Sequence, residues 1–163
     1  MKVMYIHGFQ SRPSKEKLDI LHKYFDEVFA PEINWEDEDE RVGLFRSLSA
    51  IIRKQKISHV VGPSMGGQMA FYLSTNLDKR GLCFNPAFEH MYFDLGYTKN
   101  KDFNSQVNII LGEHDDVIDP NKTLRFIESE RYKKDSIKIE SLNIGHIIDN
   151  DSFEYGVKKI ITS

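Results

Sequence analysis

Short apolar runs and longer amphipathic stretches alternate along the chain, and their periods predict its elements. Val3-Met4-Tyr5-Ile6 is a continuous apolar run of strand length, as expected for a buried strand. Leu18, Leu21, Tyr24 and Phe25 recur at helical spacing and predict a helix over 13–25, with Pro13 at its first position. Val28-Phe29-Ala30 predicts a short strand stopped by Pro31. Leu44, Leu48, Ile51 and Ile52 predict a helix over 41–55. A strand over 59–62 and a helix over 65–76 follow, then a strand over 82–84. Val107-Asn108-Ile109-Ile110-Leu111 is the clearest strand, followed by a helix over 120–130 with Asp119 as its N-cap. Residues 137–142 alternate with period two and predict the last strand. A helix over 153–161, capped by Asp151 or Ser152, closes the chain.

Six strands separated mostly by helices predict an α/β fold with a largely parallel sheet covered on both faces. Residues 86–106 break the rhythm, being long and irregular where a helix is expected. Connections of that length in compact domains are often functional, and this one reads as a short lid-like segment.

Composition narrows the class. The chain has 163 residues, which fits one domain over 1–163. Lys plus Arg is 22 against 25 for Asp plus Glu, a net charge of −3 that argues against a nucleic-acid partner. Cys83 is the only cysteine, so neither an intramolecular disulfide nor a cysteine-rich zinc site can form. The opening apolar run is too short for a signal peptide, and no stretch approaches the ~20 residues that span a bilayer. A soluble, cytoplasmic chain is expected. The acidic run over 36–40 reads as a solvated loop leading into a helix.

The chemistry is carried by Gly62-Pro63-Ser64-Met65-Gly66-Gly67, placed between a predicted strand and a predicted helix. This is the Gly-x-Ser-x-Gly nucleophile elbow in the context it requires. The strained turn projects the serine above the sheet, and only glycine-like side chains fit two residues before and after it. A serine needs a base, and in elbow hydrolases the order is Ser, then acid, then His. Gly112-Glu113-His114-Asp115-Asp116 follows the strongest strand, and Gly145-His146 follows the last one. All three candidates therefore leave strands at one rim. Asp115 is the preferred acid and Asp116 the alternative, since Asp119 is engaged as a cap. Of the remaining histidines, His22 and His59 lie within elements, His114 in the acid loop, and His90 in the long connection, where it reads as a surface histidine ahead of a substrate contact.

An oxyanion needs backbone donors. Met65, after the nucleophile, supplies one. Phe9 supplies the other, from the loop His7-Gly8-Phe9-Gln10-Ser11, where Gly8 permits the tight turn that aims the next amide inward. The segment 88–103 carries Phe88, Tyr92, Phe93 and Tyr97, which either line a substrate-binding wall for the acyl group or close the core beneath a long loop.

Taken together, these residues resemble an α/β-hydrolase, and most nearly the small bacterial esterases of the YqiA/YcfP type. Tyr5-Ile6-His7-Gly8-Phe9-Gln10-Ser11-Arg12-Pro13-Ser14-Lys15 is similar to that family's opening signature, and Ser64, Asp115 and His146 match its triad positions. Pro63 departs from the small polar residue of many relatives, though it suits an extended strand end. The resemblance implies a compact α/β-hydrolase fold with strand order 2-1-3-4-5-6. It also implies hydrolysis of a small-molecule carboxylic ester or acyl thioester without a cofactor. A binding or scaffold protein that kept the fold and lost turnover is the competing expectation; a peptidase ranks lower, because nothing resembles a propeller or cap domain.

Overall fold

The computed structural model describes residues 1–89 and 100–162. Six strands form one all-parallel sheet: β1 Lys2–Tyr5, β2 Glu27–Phe29, β3 His59–Pro63, β4 Arg80–Phe84, β5 Val107–Gly112 and β6 Ile137–Leu142. Their spatial order is β2-β1-β3-β4-β5-β6, as the resemblance implies. Among the described residues six α-helices accompany them, α1 Lys15–Tyr24, α2 Glu38–Arg41, α3 Leu44–Gln55, α4 Ser64–Leu77, α5 Pro120–Glu130 and α6 Asn150–Thr162, with a 3-10 turn over Lys134–Ser136.

Successive strand residues point to opposite faces, so each strand feeds two cores. Val3, Tyr5, Val61, Leu82, Phe84 and Ile110 join Leu21, Phe153 and Ile160 of α1 and α6 on one side. Met4, Ile6, Val60, Cys83, Ile109 and Leu111 join Leu48, Met69 and Phe71 of α3 and α4 on the other. The strand ends are in register at the rim: Pro63 pairs with Phe84, Phe84 with Ile110, and Gly112 with Leu142. Residues leaving β3, β4, β5 and β6 therefore emerge side by side.

Several boundaries differ from the periodic reading for identifiable reasons. Ser14 caps α1 by accepting from the Lys17 amide (3.3 Å), so Pro13 stands before the cap, outside the first turn. The helix expected over 41–55 is two helices, because Gly43 takes a left-handed φ of 83° between them. Asp37 caps α2 through the amides of Asp39 and Glu40, so part of the acidic run is helical. α6 begins earlier than expected, because Asp149, not Asp151 or Ser152, accepts the Ser152 amide (2.8 Å). No helix among the described residues is long and apolar enough to cross a membrane.

Candidate active site

β3 runs into α4 without an intervening residue, and the junction is Ser64 at φ 52°. Left-handed backbone is costly for a residue with a Cβ and persists only where surroundings enforce it. The neighbouring glycines are part of that enforcement. A Cβ on Gly62 would sit 2.4 Å from the Gly66 carbonyl oxygen, and one on Gly66 would sit 2.0 Å from that of Ile6. Gly67 packs its backbone against Gly62 and Phe84, where a Cβ would lie 2.9 and 3.1 Å from their carbonyl oxygens. Pro63 is extended (φ −99°, ψ 155°), as the end of β3 requires.

The β1 loop crosses over the elbow. A Cβ on Gly8 would just touch Ser64 Cβ at 3.4 Å, so this loop hugs Ser64. The left-handed residue of the turn is Gln10 (φ 50°), not Gly8; close approach, rather than turn geometry, is what the glycine provides. His7 braces the loop from below. Its Nε2 accepts from the Ile33 amide (2.9 Å), which leaves Nδ1 to donate to the Gly8 carbonyl (2.8 Å). Trp35 Nε1 adds a bond to the His7 carbonyl (3.1 Å). Burial holds the His7 pKa below its ordinary value, consistent with a neutral ring serving as acceptor.

Asp115 lies in the turn after β5, with its side chain fully buried. Its Oδ1 accepts from the amides of Val117 (2.9 Å) and Ile118 (2.8 Å). The carboxylate faces His146 Nδ1 at 2.9 and 3.1 Å. Asp116, one residue on, is exposed, and Asp119 caps α5 through the Asn121 amide (2.9 Å). His114 is exposed and contributes only its amide, to the Ile144 carbonyl (3.1 Å). Because Nδ1 of His146 is engaged by the carboxylate, Nε2 is the nitrogen left for chemistry.

Ser64, Met65, Phe9 and His146 line one cleft of about 840 Å³. Met65 is the second residue of α4, within the turn whose amides have no acceptor inside the helix. Val117, Ile118, Ile147 and Ile148 form an apolar wall. Phe88 does not line this cleft. It is buried against Phe71 and stacked on Phe126 (4.3 Å between ring centres), so its side chain belongs to the core under α5. Phe103 is likewise core. Tyr92, Phe93 and Tyr97, together with His90, lie outside the described residues.

The periodic reading passes over Asn85. It directly follows β4 at the same rim, and its side chain reaches both the loop after β5 and the loop after β6. The available signal was an asparagine before Pro86 at a strand end, a residue tolerant of left-handed backbone.

Residues 2–120 match the uncharacterised protein family UPF0227. The chain belongs to that family. It is the YqiA/YcfP-type group that the opening and elbow motifs resemble. No curated protein matches in sequence. Among solved structures, the chain is similar to XCC1541 of Xanthomonas campestris pv. campestris, assigned to the α/β hydrolase superfamily. The identity is 14%, the TM-score 0.68, and the match covers 99% of this chain and 96% of that one. It is similar to esterase PE8 at 18% identity and TM-score 0.62, covering 98% and 92%. The Staphylococcus aureus fluorophosphonate-binding serine hydrolase FphF matches at 12% identity and TM-score 0.63, covering 99% and 82%. At these identities the likeness is one of fold, and the fold is that of α/β hydrolases and esterases.

Proposed function

We propose that this chain is a serine hydrolase that cleaves carboxylic esters or acyl thioesters through an acyl-enzyme. The observation that carries the reading is that Ser64, at φ 52°, and His146, held by the buried Asp115 carboxylate, line the same cleft. Neutral His146 accepts the Ser64 proton at Nε2 as Oγ attacks the carbonyl carbon. Asp115 fixes the ring and stabilises the imidazolium. The amides of Phe9 and Met65 bind the oxyanion. Collapse of the tetrahedral intermediate expels the alcohol or thiol, which takes the proton from His146. Water, deprotonated by His146, then attacks the acyl-enzyme, and the serine recovers its proton as the acid leaves.

The acyl group lies in this reading against Val117, Ile118 and Ile147, in a cleft open enough to admit small substrates. A fluorophosphonate probe tests the proposal. It should add one equivalent of mass at Ser64, and ester turnover should vanish in Ser64→Ala. Equal labelling or undiminished turnover in Ser64→Ala would refute the nucleophile. An intact protein that neither labels nor turns over any ester in a panel of acyl lengths would favour a scaffold.

A further inference from the structure

Asn85 is buried, at 2% exposure, and left-handed, with φ 43°. It stands one residue past β4, between the strands that carry the nucleophile and the acid. Its amide N–H donates to the Ile110 carbonyl (2.9 Å), which locks its backbone onto β5. Its side chain then divides between two loops. Oδ1 accepts from the Gly112 amide (2.6 Å), at the start of the turn that carries Asp115. Nδ2 donates to the carbonyls of Gly145 (3.1 Å) and His146 (3.4 Å).

An asparagine is the side chain for this position. It carries one acceptor and a two-hydrogen donor on a short stem, matching one amide and two carbonyls. The left-handed backbone aims the stem along the rim, and asparagine tolerates that conformation better than other residues with a Cβ. Gly112 and Gly145 lie so close that a Cβ on Gly112 would sit 2.7 Å from the Gly145 carbonyl oxygen. The two loops therefore meet, and Asn85 pins both sides of the seam. Two residues on, the Ala87 amide donates to the Ser64 carbonyl (3.1 Å), so the same segment also touches the elbow.

We infer that Asn85 is a positioning residue that holds the His146 imidazole against Asp115. The role rests on the hydrolase reading for its effect on turnover, but not for its effect on the His146–Asp115 bond. Asn85→Gly keeps the left-handed backbone and removes the side chain. Asn85→Asp keeps the shape and the acceptor, and removes the donor to the histidine loop. In both, kcat on an aryl acetate should fall by about 10- to 100-fold, with KM little changed, because geometry and not binding is disturbed.

Proton NMR supplies the readout independent of any substrate. Wild type should show a low-field Nδ1–H resonance from His146, which broadens by exchange with water in Asn85→Gly and Asn85→Asp. The wild-type Asn85 side-chain amide protons should also exchange slowly, a measurement that needs no variant to fold. A purely structural asparagine would lower Tm and leave kcat and the resonance intact well below Tm. That result, or side-chain amide protons exchanging as fast as those of a free asparagine, overturns the inference. If instead wild type hydrolyses no ester while the resonance behaves as expected, the hydrolase reading fails and the positioning role stands.

Discussion

Asp115 and Asp116 differ by one position and in almost everything that matters to an acid. Asp115 is sealed from solvent, receives two backbone amides and faces the imidazole; Asp116 is exposed. Asp115→Asn should therefore lower kcat by orders of magnitude, on the scale of ~10⁴ known for a serine protease, while Asp116→Asn stays within a few-fold of wild type. Steady-state kinetics on one ester decides it, and a crippled Asp116→Asn beside an active Asp115→Asn would exchange the roles. The candidate site was legible at this scale wherever chemistry demands a residue type at a strand end: Ser64, Asp115 and His146 are such positions. Asn85 and His7 were not legible. Their work is done by hydrogen bonds to backbone atoms far away in the chain, and no local pattern encodes such partners.

At the scale of elements, the connection after β4 divides its described residues between core and surface. Phe88 and Phe103 turn inward, and residues 104 and 105 are strapped to Asp78 at the end of α4 by their amides (2.9 and 2.7 Å). An apolar residue in an irregular stretch has no period to say whether it faces core or cleft, which is why Phe88 reads equally well either way. The histidine loop provides the apolar wall instead, with Ile147 at 89% exposure beside the candidate base. Contact with a methylene contributes about 0.8 kcal/mol, or roughly fourfold in kcat/KM. Ile147→Ala should flatten the rise in kcat/KM from acetyl to butyryl esters, whereas Phe88→Ala should lower Tm and leave that rise intact. The opposite pattern would return the acyl site to the long connection. The strands and helices themselves were mostly legible from period and caps. Their boundaries moved where Gly43 and Asp149 imposed backbone features that hydrophobic spacing does not register.

At the scale of the molecule, the strand order rests on family resemblance, since periodicity does not say which strands are neighbours. The assembled sheet also sets a dependence on pH. His59, at the start of β3, is buried against Phe25 (5.0 Å between ring centres), and burial, with the Arg80 charge, pushes its pKa down to about 4. The unfolded chain protonates this ring near 6.5, so stability is fully present above that pH and is lost as the pH falls toward 4. The loss from His59 is roughly 3 kcal/mol, and His7, shifted in the same direction, adds to it. Urea unfolding followed from pH 7 to 4.5 should show this decline, and His59→Gln should make it shallower. An unchanged slope in His59→Gln would show that His59 is not its source.

The proposed nucleophile, Ser64, and its proposed base, His146, hang from strands of unequal standing. Among the described residues β3 is paired on both sides, to β1 and β4, whereas β6 is the last strand of the sheet and is paired only to β5. Glu140 on β6 is clasped by Lys159 and Tyr155 of α6, a tie at the surface. Opening free energies in a protein rise from frayed edges to the interior, so β6 and its loop separate more readily than the elbow does. Each such excursion withdraws the imidazole and leaves the serine in place. In the proposed hydrolase, competence at Ser64 is then an equilibrium population set at the margin of the sheet, and mild destabilisation should dim turnover before it denatures the protein.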